Sequence, residues 1–147
     1  MAEVAHVFVC PGHRLPMREL EFAEGLTDCG LKGCGHARAG SKRQILMIDL
    51  ESLEKLGLAP GTVKENVTIR GLDLREAAAG QRLRIGEAEV EVVAPCDPCF
   101  RMDEIRGGLR EELKGQRGVL GRIVKGGVIR RGDEVEVLAA VEAKTDN

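Results

Sequence analysis

The residues best suited to chemistry are two cysteines three positions apart, Cys96 and Cys99, which enclose the dipeptide Asp-Pro. The segment follows an apolar, alternating stretch typical of a strand and precedes a stretch with helical spacing. Cys99 is therefore expected close to a helix N-terminus, where the dipole favours the ionised form of a thiol. Arg101 and Arg106 nearby would stabilise a thiolate further. A thiolate is both a nucleophile and a soft metal ligand, so Cys99 is the candidate reactive residue.

Three interpretations of this cysteine pair stay open on the residues alone. A redox pair of the thioredoxin type needs a parallel α/β context, and the surrounding pattern does not provide one. Half of a zinc site needs two further ligands, which Cys34 with His36, or Cys29 with Cys34, would supply in a zinc-stabilised binding module. Buried cysteines without chemistry are the third interpretation, and it suits Cys10 better than a paired turn.

A glycine-rich stretch from Gly25 to Ser41 is the second candidate region, with five glycines and no helical or strand periodicity. We expect a loop there, and loops often carry function. Cys34, His36 and Arg38 bring a thiol, an imidazole and a guanidinium together, and accessible backbone amides can hold an anion. The alternative is a connector whose glycines only form turns. Basic residues that together would line a phosphate pocket are Arg38, Lys42, Arg43, Arg70, Arg117 and Arg122.

Composition excludes several classes of protein. The 147 residues carry 22 basic and 24 acidic side chains, a net charge of −2, which is too balanced for a general polyanion or membrane-surface binder. The absence of Trp and Tyr argues against stacking on nucleic-acid bases. Acidic Glu3 argues against a signal peptide, and the lack of a long apolar run argues against a membrane span. We therefore expect a cytoplasmic protein with free thiols.

Local patterns predict a mainly β protein. Alternating or β-branched runs with turn residues between them predict about seven short strands, among them a hairpin over residues 82–92. Asp49 should cap a short helix that Gly57 ends, and Gly107-Gly108 should divide residues 100–114 into two short helices. Since strands and helices do not alternate regularly, we expect a mixed, closed or nearly closed β-barrel with a few short helices. One domain would span residues 1–147, with a core over 4–139 and a polar tail at 140–147.

Several segments stand in an order that resembles a known family. Residues 30–40 followed by Arg43-Gln44 resemble its first loop, residues 65–74 resemble its Glu-Asn strand, and residues 80–86 resemble the next hairpin. Residues 117–119 and 127–133 resemble its last strands. The family is the MOSC domain, named after the C-terminal domain of molybdenum cofactor sulfurase, and the likeness covers roughly Val4 to Val137. It implies a barrel-like fold of the pyruvate-kinase type.

The resemblance also implies a function. The family's functional cysteine usually follows a proline, which places it on Cys99, where it would carry persulfide sulfur or ligate molybdenum. His36 or Arg101 would stabilise the anion. The sulfur donor would be a separate pyridoxal-phosphate cysteine desulfurase, since no pyridoxal-phosphate site is evident in this chain, and a metal–sulfur or cofactor-biosynthesis protein would be the acceptor. Residues that would bind the molybdenum cofactor (molybdopterin) are Arg38, Arg43, Asn66, Arg70 and Arg101. The enzymatic alternative is molybdenum-dependent reduction of N-hydroxylated compounds.

Two positions depart from the family pattern. Cys34 stands where the first loop commonly has Asp, two residues before His36, so we expect the role of that Asp, in orienting His36 or contacting a ligand, to be either altered or taken over by a thiol. Lys64 stands where a glycine often precedes the Glu-Asn pair.

Overall fold

The computed structural model describes residues 2–12 and 14–138, so the predicted polar tail and the end of the last predicted strand at Ala139 lie outside the described residues. The helices are α1 (Leu50–Lys55), α2 (Arg101–Ile105) and α3 (Leu109–Glu112). The strands in this part of the chain are β1 (Glu3–Val9), β2 (Arg18–Leu20), β3 (Phe22–Leu26), β4 (Gly30–Leu31), β5 (Ile45–Asp49), β6 (Val67–Arg70), β7 (Arg82–Ile85), β8 (Ala88–Pro95), β9 (Val119–Lys125), β10 (Gly127–Arg130) and β11 (Val135–Leu138).

Two sheets hold these strands. The larger has the order β11-β7-β8-β9-β5-β6-β1-β2, and the smaller has the order β10-β3-β4. The pair β5–β6 is parallel and the other pairs are antiparallel, which confirms a mixed, mainly β architecture. Neither sheet is closed, so the predicted barrel is not supported.

The open arrangement has a visible cause at β1. Its first residues approach the start of β11, with one bridge between Glu3 and Glu134 and a backbone hydrogen bond from Val4 N to Asp133 O of 2.8 Å. Farther along the same edge, β2 pairs with residues 7–9. Because β2 occupies that part of the edge, only the first residues of β1 are left to meet β11, and a continuous ladder does not form.

Two apolar clusters fill the interior. The larger lies between the strands and includes Val7, Met47, Val90 and Ile123. The smaller lies beneath the helices, where Leu53 of α1 packs with Met102, Leu109 and Leu113 from the α2–α3 region. The second cluster fixes the segment after β8 against the body of the protein, which matters because that segment carries Cys99. No helix in the described residues is long and apolar enough to cross a membrane.

Several local predictions are confirmed. Asp49 caps α1 by accepting a hydrogen bond from Ser52 N at 3.1 Å, and β7 and β8 form the predicted hairpin. Two short helices flank Gly107-Gly108. The glycine-rich stretch is not wholly a loop, because its first residues, Gly25 and Leu26, end β3, and Gly30 and Leu31 form β4 against them. A two-residue strand is too short to leave a periodic sequence signal.

Gly118 should be one of the least replaceable residues of the fold. Its φ is +87°, and an added Cβ would lie 2.1 Å from the carbonyl oxygen of Met47. We expect Gly118→Ala to lower the free energy of unfolding by roughly 3 kcal/mol or more, through backbone clash and strain. Denaturant titration measures the loss. Gly107→Ala is the matched control, since no atom lies within 4 Å of its added Cβ; equal stability of the two variants would contradict the prediction.

Candidate functional site

A cavity of about 640 Å³ opens between the glycine-rich loop, the turn before β6, the segment after β8 and α2. It is the feature around which the chemistry-bearing residues gather. Its walls are formed by Arg14, Gly35, His36, Ala37, Arg38, Ser41, Arg43, Ile45, Leu46, Lys64, Asn66, Cys96, Cys99, Arg101, Met102, Glu104, Ile105, Arg117 and Leu120.

Most of the residues singled out from the sequence meet in this cavity. The two residues given a chemical role, Cys99 and His36, line it, and so do four of the five given a cofactor-binding role: Arg38, Arg43, Asn66 and Arg101.

Arg70 is the exception among these five, and two other residues predicted for a phosphate pocket, Lys42 and Arg122, do not line the cavity either; Arg122 pairs with Asp28 and Glu91. Arg70 lies at the end of β6, where Nη1 forms an ion pair with Glu3 Oε2 at 2.6 Å, and it does not line the cavity. Arg106, expected beside the thiolate, instead donates to the carbonyl of Leu56 and to Glu112. Each of these guanidiniums therefore has partners away from Cys99.

The cysteine segment is held at three points. Cys96 N donates to Gly118 O at 2.9 Å, Arg117 Nη1 donates to Asp97 O at 3.3 Å, and Met102 N donates to Cys99 O at 3.0 Å. Cys96 is 4% exposed and burial raises the pKa of its thiol, whereas Cys99 is half-buried. Of the two thiols that reach the cavity, Cys99 is the more accessible to a ligand.

Arg117 is the most unusual charge in the site. It is only 8% exposed, and its guanidinium bonds two carbonyl oxygens, of Asp97 and of Val63, the latter at 3.0 Å. Its Nε has no hydrogen-bond partner, and among residues 2–12 and 14–138 no carboxylate pairs with it. A buried charge is costly without a counter-charge, so a bound anion beside Arg117 would reduce that cost.

The other charged side chains of the cavity are also mostly basic. Six basic side chains and one acidic side chain, Glu104, line it, although the whole chain carries a net charge of −2. Glu104 pairs with Arg14 at 3.4 Å, and within the described ranges none of the other five basic side chains has an acidic partner. Concentrated, uncompensated positive charge attracts anions such as phosphate groups.

Hydrogen bonds tie the glycine-rich loop to neighbouring strands. Gln44, fully buried, donates to Asp28 Oδ1 and Ser41 O, and accepts from Ile123 N. Gly35 N donates to Cys10 O at 2.8 Å. The amides of residues 34–38 already donate to protein acceptors, so the predicted binding of an anion by these backbone amides is not supported.

Asn66 holds the wall of the cavity. Its Nδ2 donates to Phe8 O at 3.2 Å and to Cys34 Sγ at 3.3 Å, while its Oδ1 accepts from Leu46 N at 3.0 Å. The amide thus joins β1, β5 and the glycine-rich loop. With both ends of its amide engaged, Asn66 positions these neighbouring segments.

Cys34 sits behind this wall, 7% exposed. Burial alone would raise the pKa of its thiol, but hydrogen bonds from the side chain and amide of His36 and from the amide of Cys10 outweigh it and lower the pKa to about 7.

The turn before β6 brings Lys64 to the cavity. Glu65, fully buried, accepts from Gly61 N at 2.7 Å and from Thr68 Oγ1 at 2.8 Å, and burial raises the pKa of its carboxyl group. The turn it holds forces Lys64 to a φ of +70°, a left-handed conformation that favours glycine. This explains the glycine expected there from the family resemblance.

Lys64→Gly should separate stability from binding. Relief of the left-handed strain should raise the free energy of unfolding by about 1 kcal/mol, while loss of the cation weakens anion binding. Thermal unfolding and sulfate titration measure the two effects. Lys64→Ala, which removes the same cation but keeps the strain, should lose affinity equally without the gain in stability. Equal stability of the glycine and alanine variants would refute the role of strain.

The zinc interpretation gains no support. In the part of the chain that the structure describes, no group of three or more His, Cys, Asp or Glu side chains is placed to hold a metal ion. Cys29 does not line the cavity, and Cys34 bonds N–H groups. The tetrahedral set expected from Cys96, Cys99, Cys34 and His36 is therefore absent from the described residues.

Sequence reasoning missed Arg14 and Glu104, which line the cavity mouth as an ion pair. Arg14 lies in a segment without periodicity, and its pairing with α2 depends on the path of the chain after β1. No local signal marks it. Glu104 stands on a short helix among other charges, where a solvated surface role is the ordinary expectation.

Comparison with known proteins identifies the family and agrees with the fold. The family model described as MOSC domain matches residues 35–136, well over half of the chain. The chain therefore belongs to the MOSC domain family, as the order of its sequence segments predicted.

Solved structures share the fold. The YuaD protein from Bacillus subtilis superposes with a TM-score of 0.80 at 19% identity, over 93% of this chain and 96% of that one. YiiM from Geobacillus stearothermophilus gives 0.77 at 18% identity, over 95% and 76%, and YiiM from Escherichia coli gives 0.70 at 20% identity, over 95% and 70%. At these identities the likeness concerns the fold. No curated protein matches the chain.

Proposed function

We propose that this MOSC module binds the molybdenum cofactor in its cavity, with Cys99 as the thiolate available to molybdenum and the basic side chains holding the pterin phosphate. The observation that carries the proposal is the guanidinium of Arg117, buried beside the cysteine segment without a carboxylate partner in residues 2–12 and 14–138. An anionic ligand supplies the missing counter-charge.

The residues present fit such a ligand. A thiolate is a soft ligand, and Cys99 is the half-buried thiol of the cavity. Arg38, Arg43 and Arg101 add charge that no acidic side chain in the described ranges neutralises. A volume of about 640 Å³ falls within the usual range for small-molecule and cofactor sites. Bound molybdenum would supply two-electron redox chemistry, and reduction of N-hydroxylated compounds would then be the reaction to assay.

Sulfur transport is the second candidate, and a different observation favours it. Two thiols, Cys96 and Cys99, line the same cavity, and Cys99 is the half-buried one, so a sulfane sulfur on Cys99 could be reached from the cavity. Cys99 would accept the sulfur as a persulfide from a cysteine desulfurase, and His36 or Arg101 would stabilise the anion. A cofactor-biosynthesis or metal–sulfur protein would then receive it.

One sample distinguishes the two candidates. The protein is purified anaerobically without reductant and analysed for molybdenum, then incubated with a cysteine desulfurase and free cysteine and measured by intact mass. Molybdenum and a pterin in equal amounts with the protein support cofactor binding. Sulfane sulfur on Cys99 without molybdenum supports the carrier. If neither sulfur nor molybdenum binds, both candidates fail, while the fold and family stand.

A further inference from the structure

Cys34 is a buried nucleophile that the proposed function does not use. Three N–H groups converge on its sulfur, from Cys10 N at 3.3 Å, Asn66 Nδ2 at 3.3 Å and His36 N at 3.4 Å. These donors belong to three separate segments: the end of β1, the residue that precedes β6, and the glycine-rich loop. The sulfur is therefore the point at which the three segments are tied together.

A neutral thiol is a poor partner for three donors, because its sulfur accepts hydrogen bonds weakly. A thiolate accepts them strongly, and several N–H donors stabilise an anion in a buried place. The arrangement around Cys34 is thus the one expected for an anionic acceptor.

Among residues 2–12 and 14–138, the titratable groups that face Cys34 are the imidazole of His36 and the thiol of Cys10. The imidazole interacts favourably with the sulfur and contributes, with the amides of Cys10 and His36, to the lowered pKa of about 7. The thiol of Cys10 donates to Gly12 O at 3.2 Å. Asn66, the third contact, does not titrate.

We propose that Cys34 is an anionic positioning residue, whose thiolate fastens the glycine-rich loop and Asn66 to the end of β1 and thereby sets His36 and Arg38 in the wall of the anion cavity. Cys34 does not touch the ligand and performs no bond-making step. The inference rests on the anion-binding part of the proposed function and is independent of the chemistry at Cys99.

Variants that keep or remove the acceptor test the proposal. Cys34→Asp retains a short anionic acceptor, whereas Cys34→Ala removes it. With sulfate as the probe, because its charge does not change near neutral pH, we expect the alanine variant to bind about tenfold more weakly and the aspartate variant to stay within about twofold of the unmodified protein. If the alanine variant binds equally or more tightly, the thiolate merely repels the ligand and the proposal is wrong.

Ionisation is measured directly on the unmodified protein. The ultraviolet absorbance of thiolate is recorded against pH, and the curve of Cys34→Ser is subtracted from it. We expect a difference that titrates near pH 7. A difference that emerges only where ordinary thiols ionise would overturn the proposal. Absence of sulfate binding in the unmodified protein would instead contradict the proposed anion cavity, and this titration would still decide the state of Cys34.

A stability profile adds a readout that needs no ligand. Because the folded protein favours the thiolate, the contribution of Cys34 is fully present above the ordinary thiol pKa of 9.0 and is lost as the pH falls through about 7. The stability of the unmodified protein relative to Cys34→Ser should therefore rise between pH 7 and pH 9. A flat difference would mean that the thiol stays neutral.

Discussion

Cys99→Ser should abolish both molybdenum retention and sulfur loading while the protein stays folded. A serine hydroxyl neither ionises at neutral pH nor forms a persulfide, so both chemistries lose their reactive atom. Folding should survive because Cys99 is half-buried and the backbone bonds of the segment do not involve its sulfur. Metal analysis and intact mass after incubation with a desulfurase measure the effect, and circular dichroism checks the fold.

Two further cysteines sharpen this test. Cys96→Ser should have the weaker effect, because Cys96 is 4% exposed and burial raises the pKa of its thiol, which keeps it protonated. Cys29→Ser is the neutral control, since Cys29 does not line the cavity. Normal loading of Cys99→Ser, or its loss in Cys96→Ser alone, would move the reactive role away from Cys99.

Arg117→Met should weaken anion binding by roughly tenfold to a hundredfold, the value of one charge-assisted hydrogen bond to a buried ligand. The unbranched methionine side chain occupies similar space without the charge. Arg117→Lys keeps the charge but loses the planar fork that reaches two carbonyl oxygens, so an intermediate affinity is expected. Sulfate titration by calorimetry measures all three proteins.

Arg70→Met is the matched control for Arg117, because Arg70 is an arginine outside the cavity that is exposed and paired with Glu3. Its sulfate affinity should equal that of the unmodified protein. If Arg117→Met also binds sulfate normally, the anion does not contact Arg117. That result would contradict the observation on which the proposed function rests. A drop in both variants would indicate long-range attraction instead of a binding site.

Local chemistry made much of this fold predictable. The hairpin β7–β8, the cap at Asp49 and the division at Gly107-Gly108 each depend on residues close together in sequence. Closure of the sheet does not, because it depends on how strands far apart in sequence share the edge of β1. There β2 pairs with residues 7–9 and one isolated bridge joins Glu3 to Glu134, an arrangement that neither strand's own pattern reveals.

The site divides in the same way. Cys99, His36 and Arg38 are recognisable because cysteines near proline and a histidine in a glycine-rich loop are unusual combinations. The prediction that Arg70 binds the cofactor finds no support, because Arg70 lies at the exposed end of β6. There it pairs with Glu3 and does not line the cavity. Which basic residues share a cavity is decided by strand register and turn geometry, as the left-handed Lys64 illustrates.

The guanidinium of Arg117, which has no carboxylate partner within residues 2–12 and 14–138, should also make the stability of the folded protein depend on the anions in solution. A ligand that binds the native protein and not the unfolded chain stabilises it in proportion to the logarithm of its concentration. An anion that neutralises a buried charge should do so strongly, whereas simple screening of surface ion pairs would lower stability as salt is added. The melting temperature of the unmodified protein should therefore rise more steeply with sulfate than that of Arg117→Met, a comparison that cancels the general stabilisation that sulfate gives by exclusion from protein surfaces. The shift in melting temperature would then report ligand binding. A panel of phosphorylated and sulfur-containing anions could be ranked by this shift before any activity is known.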